Sequence, residues 1–135
     1  MRRIHSLLSF FKRKRQFLVF AGIGIANTTL HAMVLTSLVE VIALDVTLAN
    51  FISFMVANIF SYILNSSFTF LQPLSFYMYI KFLIASLLSL ILTLMISELG
   101  KFFDLHYLVS FIFIIFLVPI FSFTLMKLWT FKTSS

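Results

Sequence analysis

Cysteine is absent from this chain, which removes disulfides, thiol nucleophiles and Cys-based metal sites. Charge is scarce too: 10% of the 135 residues are charged, against 61% hydrophobic. A soluble domain covers itself with about a quarter charged residues. This chain has too few, so its outer surface must face lipid. Acids are scarcer than bases, four against ten Lys and Arg, and none comes before Glu40. No carboxylate lies deep in an apolar stretch, which argues against proton-coupled antiport and hence against a small drug-efflux protein. The length predicts no attached nucleotide-sugar-binding catalytic domain, which would need roughly 100 further residues. Nothing in the sequence looks built to break a bond, hold a metal or seat a cofactor, and the chain reads as a non-enzyme.

What is present is apolar bulk, with nineteen Phe and a mean hydropathy of +1.12. Crossing a hydrocarbon core takes about 20 mostly apolar residues, and four segments qualify: about 17–39, 47–64, 79–97 and 107–126. They predict an all-α membrane protein with a four-helix transmembrane domain over 17–132 and a short tail, 133–135. Of the ten basic residues, nine flank one side of these spans: Arg2, Arg3, Lys12, Arg13, Lys14, Arg15, Lys81, Lys127 and Lys132. Lys101 shares the other connections with Glu40, Asp45, Glu98 and Asp104. The positive-inside rule then puts both termini in the cytoplasm. The net charge of +6 has the same origin, with anionic membrane lipids rather than nucleic acid as the partner. Residues 1–16 form a separate basic amphipathic segment, with Ile4, Leu7, Leu8 and Phe11 at helical spacing, suited to the membrane interface. A cleavable signal peptide fits less well, because the apolar run that follows is long and no small-residue cleavage site ends it.

The second and fourth spans end alike. One closes with Ser61, then Asn65-Ser66-Ser67-Phe68-Thr69-Phe70, and the other with Ser122, then Met126-Lys127-Leu128-Trp129-Thr130-Phe131. Phe17-Leu18-Val19 and Phe82-Leu83-Ile84 open the first and third spans in similar fashion. The pattern predicts two parallel-repeat helical hairpins related by an axis along the membrane normal. Shared interfacial aromatics would give a weaker version of the same likeness.

Polar residues inside spans are expensive and turn towards protein or a cavity. At 100° per residue, Gly24, Asn27 and His31 share one face of the first span, while Asn50, Asn58, Ser61 and Asn65 share one face of the second. Ser86, Ser89, Thr93 and Ser97 line the third, a stripe that close helix packing explains well. The amides need more partners than a hydroxyl does, so they are read either as interhelical glue or as a ligand-facing groove. His31 fits best as a neutral side chain bonded to Asn27 or to another helix.

The stretches Gly22-Ile23-Gly24-Ile25-Ala26-Asn27-Thr28-Thr29-Leu30-His31, Leu48-Ala49-Asn50-Phe51 and Phe60-Ser61-Tyr62-Ile63-Leu64-Asn65 through Phe70, with the closing Lys127-Leu128-Trp129-Thr130-Phe131, resemble the GtrA-like family of small four-helix membrane proteins. The resemblance implies flipping of a polyprenyl-phosphate-linked sugar, such as glucose, from the cytoplasmic to the outer leaflet of a bacterial inner membrane. There it would serve O-antigen or other surface-polysaccharide glycosylation. It further implies a membrane glycosyltransferase as partner and leaves room for a homodimer. The family's helix-end pattern is approximately Asn-basic-x-aromatic-x-Phe. Here the first copy has Asn65 but Ser66 in the basic position, and the second has Met126 before Lys127. The substrate-binding set expected on this reading is Asn27, His31, Asn50, Asn58, Ser61 and Asn65 for the sugar, with Lys81 and Lys127 for the phosphate. The competing expectation is a non-transporting adaptor that stabilises such a glycosyltransferase, with the aromatic-Thr-Phe ends as docking sites.

Overall fold

The computed structural model describes residues 1–132 as four long helices, with no strand among the described residues. Each helix is long and apolar enough to cross a membrane, and the chain is an integral, multi-pass membrane protein. It divides into two compact units, Met1–Leu74 and Ser75 onward, each a helical hairpin.

The first unit begins with α1, Arg2–Glu40, a single helix of 39 residues. The basic leader and the first span are therefore continuous. Neither Pro nor Gly occurs before Gly22, so nothing interrupts the backbone where the composition changes. The uncharged stretch 16–39 alone rises roughly 36 Å, enough for a bilayer core. Ile4, Leu7, Leu8 and Phe11 are exposed along the leader.

After a tight connection at 41–45, Asp45 caps α2, Val46–Leu64, accepting from the N–H groups of Thr47 (3.1 Å) and Leu48 (3.3 Å). Ala49, Ser53 and Ala57 recur every four residues on α2 and are almost fully buried, because their small side chains let α1 approach. Then α2 widens into a π-turn, Asn65–Thr69, closed by the Phe70 N–H on the Asn65 carbonyl at 2.9 Å. Leu71, with φ of 52°, leaves the helical path. The Gln72 N–H bonds the Ser66 carbonyl, and the Ser66 hydroxyl bonds the Gln72 carbonyl, both at 2.8 Å.

The second unit repeats these devices with different residues. Ser75 caps α3, Phe76–Phe102, accepting from the Met78 N–H at 3.3 Å. His106 caps α4, Tyr107–Leu125, its Nδ1 accepting from the Leu108 N–H at 3.2 Å. A second π-turn follows at Met126–Thr130, closed by Phe131 on the Met126 carbonyl at 2.9 Å. Gly100 is buried where α3 and α4 come closest; a Cβ there would collide with Ser110. Both hairpin connections turn through a left-handed residue, Ala43 (φ 61°) and Asp104 (φ 56°).

The helices start and stop at caps rather than where hydropathy fades, so α3 runs beyond 79–97 at both ends. The ring contacts also set a register that differs from the tripeptide match. Phe20 packs edge-on against Phe70 at 6.4 Å, and Phe82 packs edge-on against Phe131 at 6.1 Å. The spatial counterpart of Phe82 is thus Phe20, not Phe17.

Candidate functional site

The polar face of α2 is real, but its members serve different ends. Near the 41–45 connection, His31 Nε2 meets Asn50 Oδ1 at 3.3 Å. A carbonyl oxygen only accepts, so this contact requires the Nε2–H tautomer. Asn50 is exposed and His31 half-buried. The other end of the column lies fifteen residues on, roughly 22 Å along the helix. There Asn65, 2% exposed, donates through Nδ2 to the Ser61 carbonyl (3.0 Å) and hydroxyl (3.1 Å). Its Oδ1 accepts from the Thr69 hydroxyl at 2.8 Å. Gln16, reaching from α1, donates to the Thr69 carbonyl at 3.2 Å. Ser61 and Asn65 therefore form a closed collar around the first π-turn.

Between these levels lie Asn58, buried in the hairpin, and Asn27, half-buried on α1. The Asn27 Oδ1 is enclosed and has no hydrogen-bond partner among the described residues. A buried acceptor left unmet costs about 1–3 kcal/mol. Asn27 thus keeps interaction capacity to spare.

The second unit carries the predicted cations at the end away from its 103–106 connection. Lys81 Nζ lies 5.0 Å from the centre of the Tyr77 ring and 5.6 Å from that of Trp129. Lys127 Nζ lies 5.5 Å above the Phe123 ring. Both contacts are within cation–π range. The hydroxyl stripe of α3 turns back on its own helix: Ser86 bonds the Phe82 carbonyl, Ser89 that of Ala85 and Thr93 that of Ser89, at 2.9–3.0 Å. These hydroxyls serve packing, with no donor turned outward. A cleft of about 460 Å³ near the 103–106 connection, lined by Ser97, Lys101, Tyr107 and Ser110 among others, includes none of the expected site residues.

The structure thus brings together His31 with Asn50 and Ser61 with Asn65, but it does not merge them into one groove. Sequence reasoning missed Gln16, Ser66 and Thr69 as collar residues, and Tyr77 as a partner of Lys81. The aromatic-Thr-Phe triplets were visible, but not how they split. Phe68 and Trp129 are exposed (59% and 36%), whereas Thr69, Phe70, Thr130 and Phe131 are core. Of each triplet, only the first residue is at the surface and the other two are inside. The signal that could have separated them is angular: the π-turn carries each Thr and following Phe to the buried face.

No curated protein and no solved structure matches the chain. The sequence model of one family, described as GtrA/DPMS, transmembrane domain, matches residues 19–131, that is, both hairpins from the uncharged part of α1 to the end of the second π-turn, and the chain belongs to that family.

Proposed function

We propose that this protein moves a polyprenyl-phosphate-linked sugar from the cytoplasmic to the outer leaflet of a bacterial inner membrane, for glycosylation of a surface polysaccharide. Family membership over residues 19–131 supports a role in lipid-linked sugar processes. The observation that carries the finer reading is the enclosed, unmet Asn27 Oδ1 on α1. A sugar hydroxyl crossing hydrocarbon loses its water and needs a replacement acceptor or donor. Asn27 offers one, His31–Asn50 a second level nearer the connection, and Asn58 a buried amide between the ends. The lysines Lys81 and Lys127 supply the positive charge that a phosphodiester requires. Both termini lie in the cytoplasm on this reading, and the left-handed turns and π-turns present in both units support its further element, a duplicated hairpin.

The test follows from the collar. Asn65→Leu would break the π-turn and lower protein level for structural reasons, so it is a poor probe of transport. Asn27→Leu and Asn58→Leu are the informative variants. Each should abolish sugar transfer to the surface polymer while the protein stays in the membrane at normal level. Full surface glycosylation in both would sink the proposed role of these amides.

The closed collar favours a second reading, an adaptor that stabilises a polyprenyl-phosphate glycosyltransferase. Asn65 and Thr69 satisfy each other and leave nothing for a ligand, as expected of a structural clasp. Purified protein in liposomes separates the two readings. A translocase flips labelled polyprenyl-phosphate sugar alone, and an adaptor does not.

A further inference from the structure

Lys81 is placed unusually for a topology-determining lysine. Such residues normally snorkel freely to the interface. Here the ammonium is held by two rings from different elements, Tyr77 one turn before it on α3 and Trp129 on the second π-turn. Among the described residues no carboxylate answers it. The unit's acids, Glu98 and Asp104, are at least seventeen residues further along, roughly 25 Å up the helix. Glu98 already pairs with Lys101 at 2.9 Å. A cation near the start of a helix also gains nothing from the macrodipole, which favours anions there. The rings occupy the apolar side of the ammonium and fix its direction, but they cannot satisfy its three N–H donors.

We propose that Lys81, positioned by Tyr77 and Trp129, is a binding site for the phosphate of a membrane lipid headgroup. The exposed Tyr77 ring that holds the ammonium also carries a phenolic hydroxyl, a donor of the kind a phosphate oxygen accepts from. Lys81 is singled out because rings from two elements converge on it. Tyr77 and Trp129 are positioning residues, and the half-exposed Trp129 ring sets the depth at which the headgroup sits. This rests on the translocation reading only for which lipid is used. The ligand chemistry, a phosphate ester on an apolar chain, is shared by a polyprenyl-phosphate substrate and by bulk anionic phospholipid.

Trp129 is the only tryptophan in the chain, so its fluorescence reports the site directly. The full-length protein in phosphatidylcholine nanodiscs would be titrated with a polyprenyl phosphate, and separately with phosphatidylglycerol. A saturable change in Trp129 emission is expected, weakened about tenfold or more in Lys81→Gln, as for a lost charged hydrogen bond. Lys81→Arg should keep it, and Lys101→Gln, at the other end of α3, should leave it unchanged. Tyr77→Leu should weaken binding less than Lys81→Gln does. Saturation by the polyprenyl phosphate alone assigns the site to substrate; equal saturation by both lipids assigns it to bulk headgroups. No saturable change with either lipid, or the same change in Lys81→Gln, overturns the proposal. Liposome flipping separates the two ideas: binding lost but flipping normal in Lys81→Gln keeps the site and puts it outside the translocation path, whereas saturable Lys81-dependent binding by a protein that does not flip keeps the site and overturns the translocase.

Discussion

The two hairpins solve one backbone problem with different chemistry. Each ends its second helix in a π-turn that must be held against the first helix. In the first unit the series Ser61, Asn65, Thr69 holds it: the amide bridges a hydroxyl below and a hydroxyl above, and Gln16 ties the turn to α1. In the second unit the matching series is Ser122, Met126, Thr130. The outer members persist but the centre is apolar, and the Thr130 hydroxyl, fully buried, has no partner among the described residues. In the register set by Phe20 and Phe82, Gln16 corresponds to Met78, so both amides of the first collar have become methionines. What the second unit has instead is the cation box of Lys81, Tyr77 and Trp129. Identical backbone devices therefore do not imply identical function. The first hairpin closes its π-turn with polar groups bonded to one another, and the second leaves the Thr130 hydroxyl unmet and sets a lysine between two rings.

Converting one unit into the other tests this contrast. Asn65→Met should have the largest effect, removing the bridge and leaving the Thr69 hydroxyl unmet, a loss of about 1–3 kcal/mol. It would appear as a lowered unfolding midpoint in detergent; an unchanged midpoint would show that the collar contributes nothing. The reverse change, Met126→Asn, should be tolerated, because Ser122 and Thr130 already stand at the spacing the amide bridges. The gain of about 1 kcal/mol per hydrogen bond offsets the lost apolar burial. A fall as large as that of Asn65→Met would break the equivalence of the two turns. Gln16→Leu should cost about 1 kcal/mol through one part-buried bond, whereas Met78→Leu should be nearly neutral. The smallest effect lies in the connections. Ala43→Gly should stabilise by about 0.5–1 kcal/mol, since alanine is strained at positive φ. Asp104→Gly should do less, because Asp tolerates that region better.

Much of this was legible from one-dimensional pattern. Four spans followed from hydropathy because lipid imposes a length and a composition on any helix that crosses it. The amide face of α2 followed from 100° periodicity, and Asn58, Ser61 and Asn65 are indeed buried together on it. Less legible was what each amide does. Periodicity assigns a direction but not a partner, so Asn65, which is saturated, and Asn27, which is not, looked alike. The leader offered a misleading cue: its composition changes sharply at Gln16, but α1 does not, because charge alters where a helix sits and not whether it continues.

The sequence by itself determined the solvent this protein folds in, the number of crossings and the faces on which polarity is concentrated. All three depend on composition and period, which are properties of the chain read in order. Only the tertiary structure decided that Phe20 rather than Phe17 answers Phe82, that each second helix loosens into a π-turn, and that Lys81 is held by Trp129. Those outcomes depend on which side chains meet across a hairpin, and contacts between residues some fifty positions apart, such as Gln16 with Thr69, leave no local mark in the sequence.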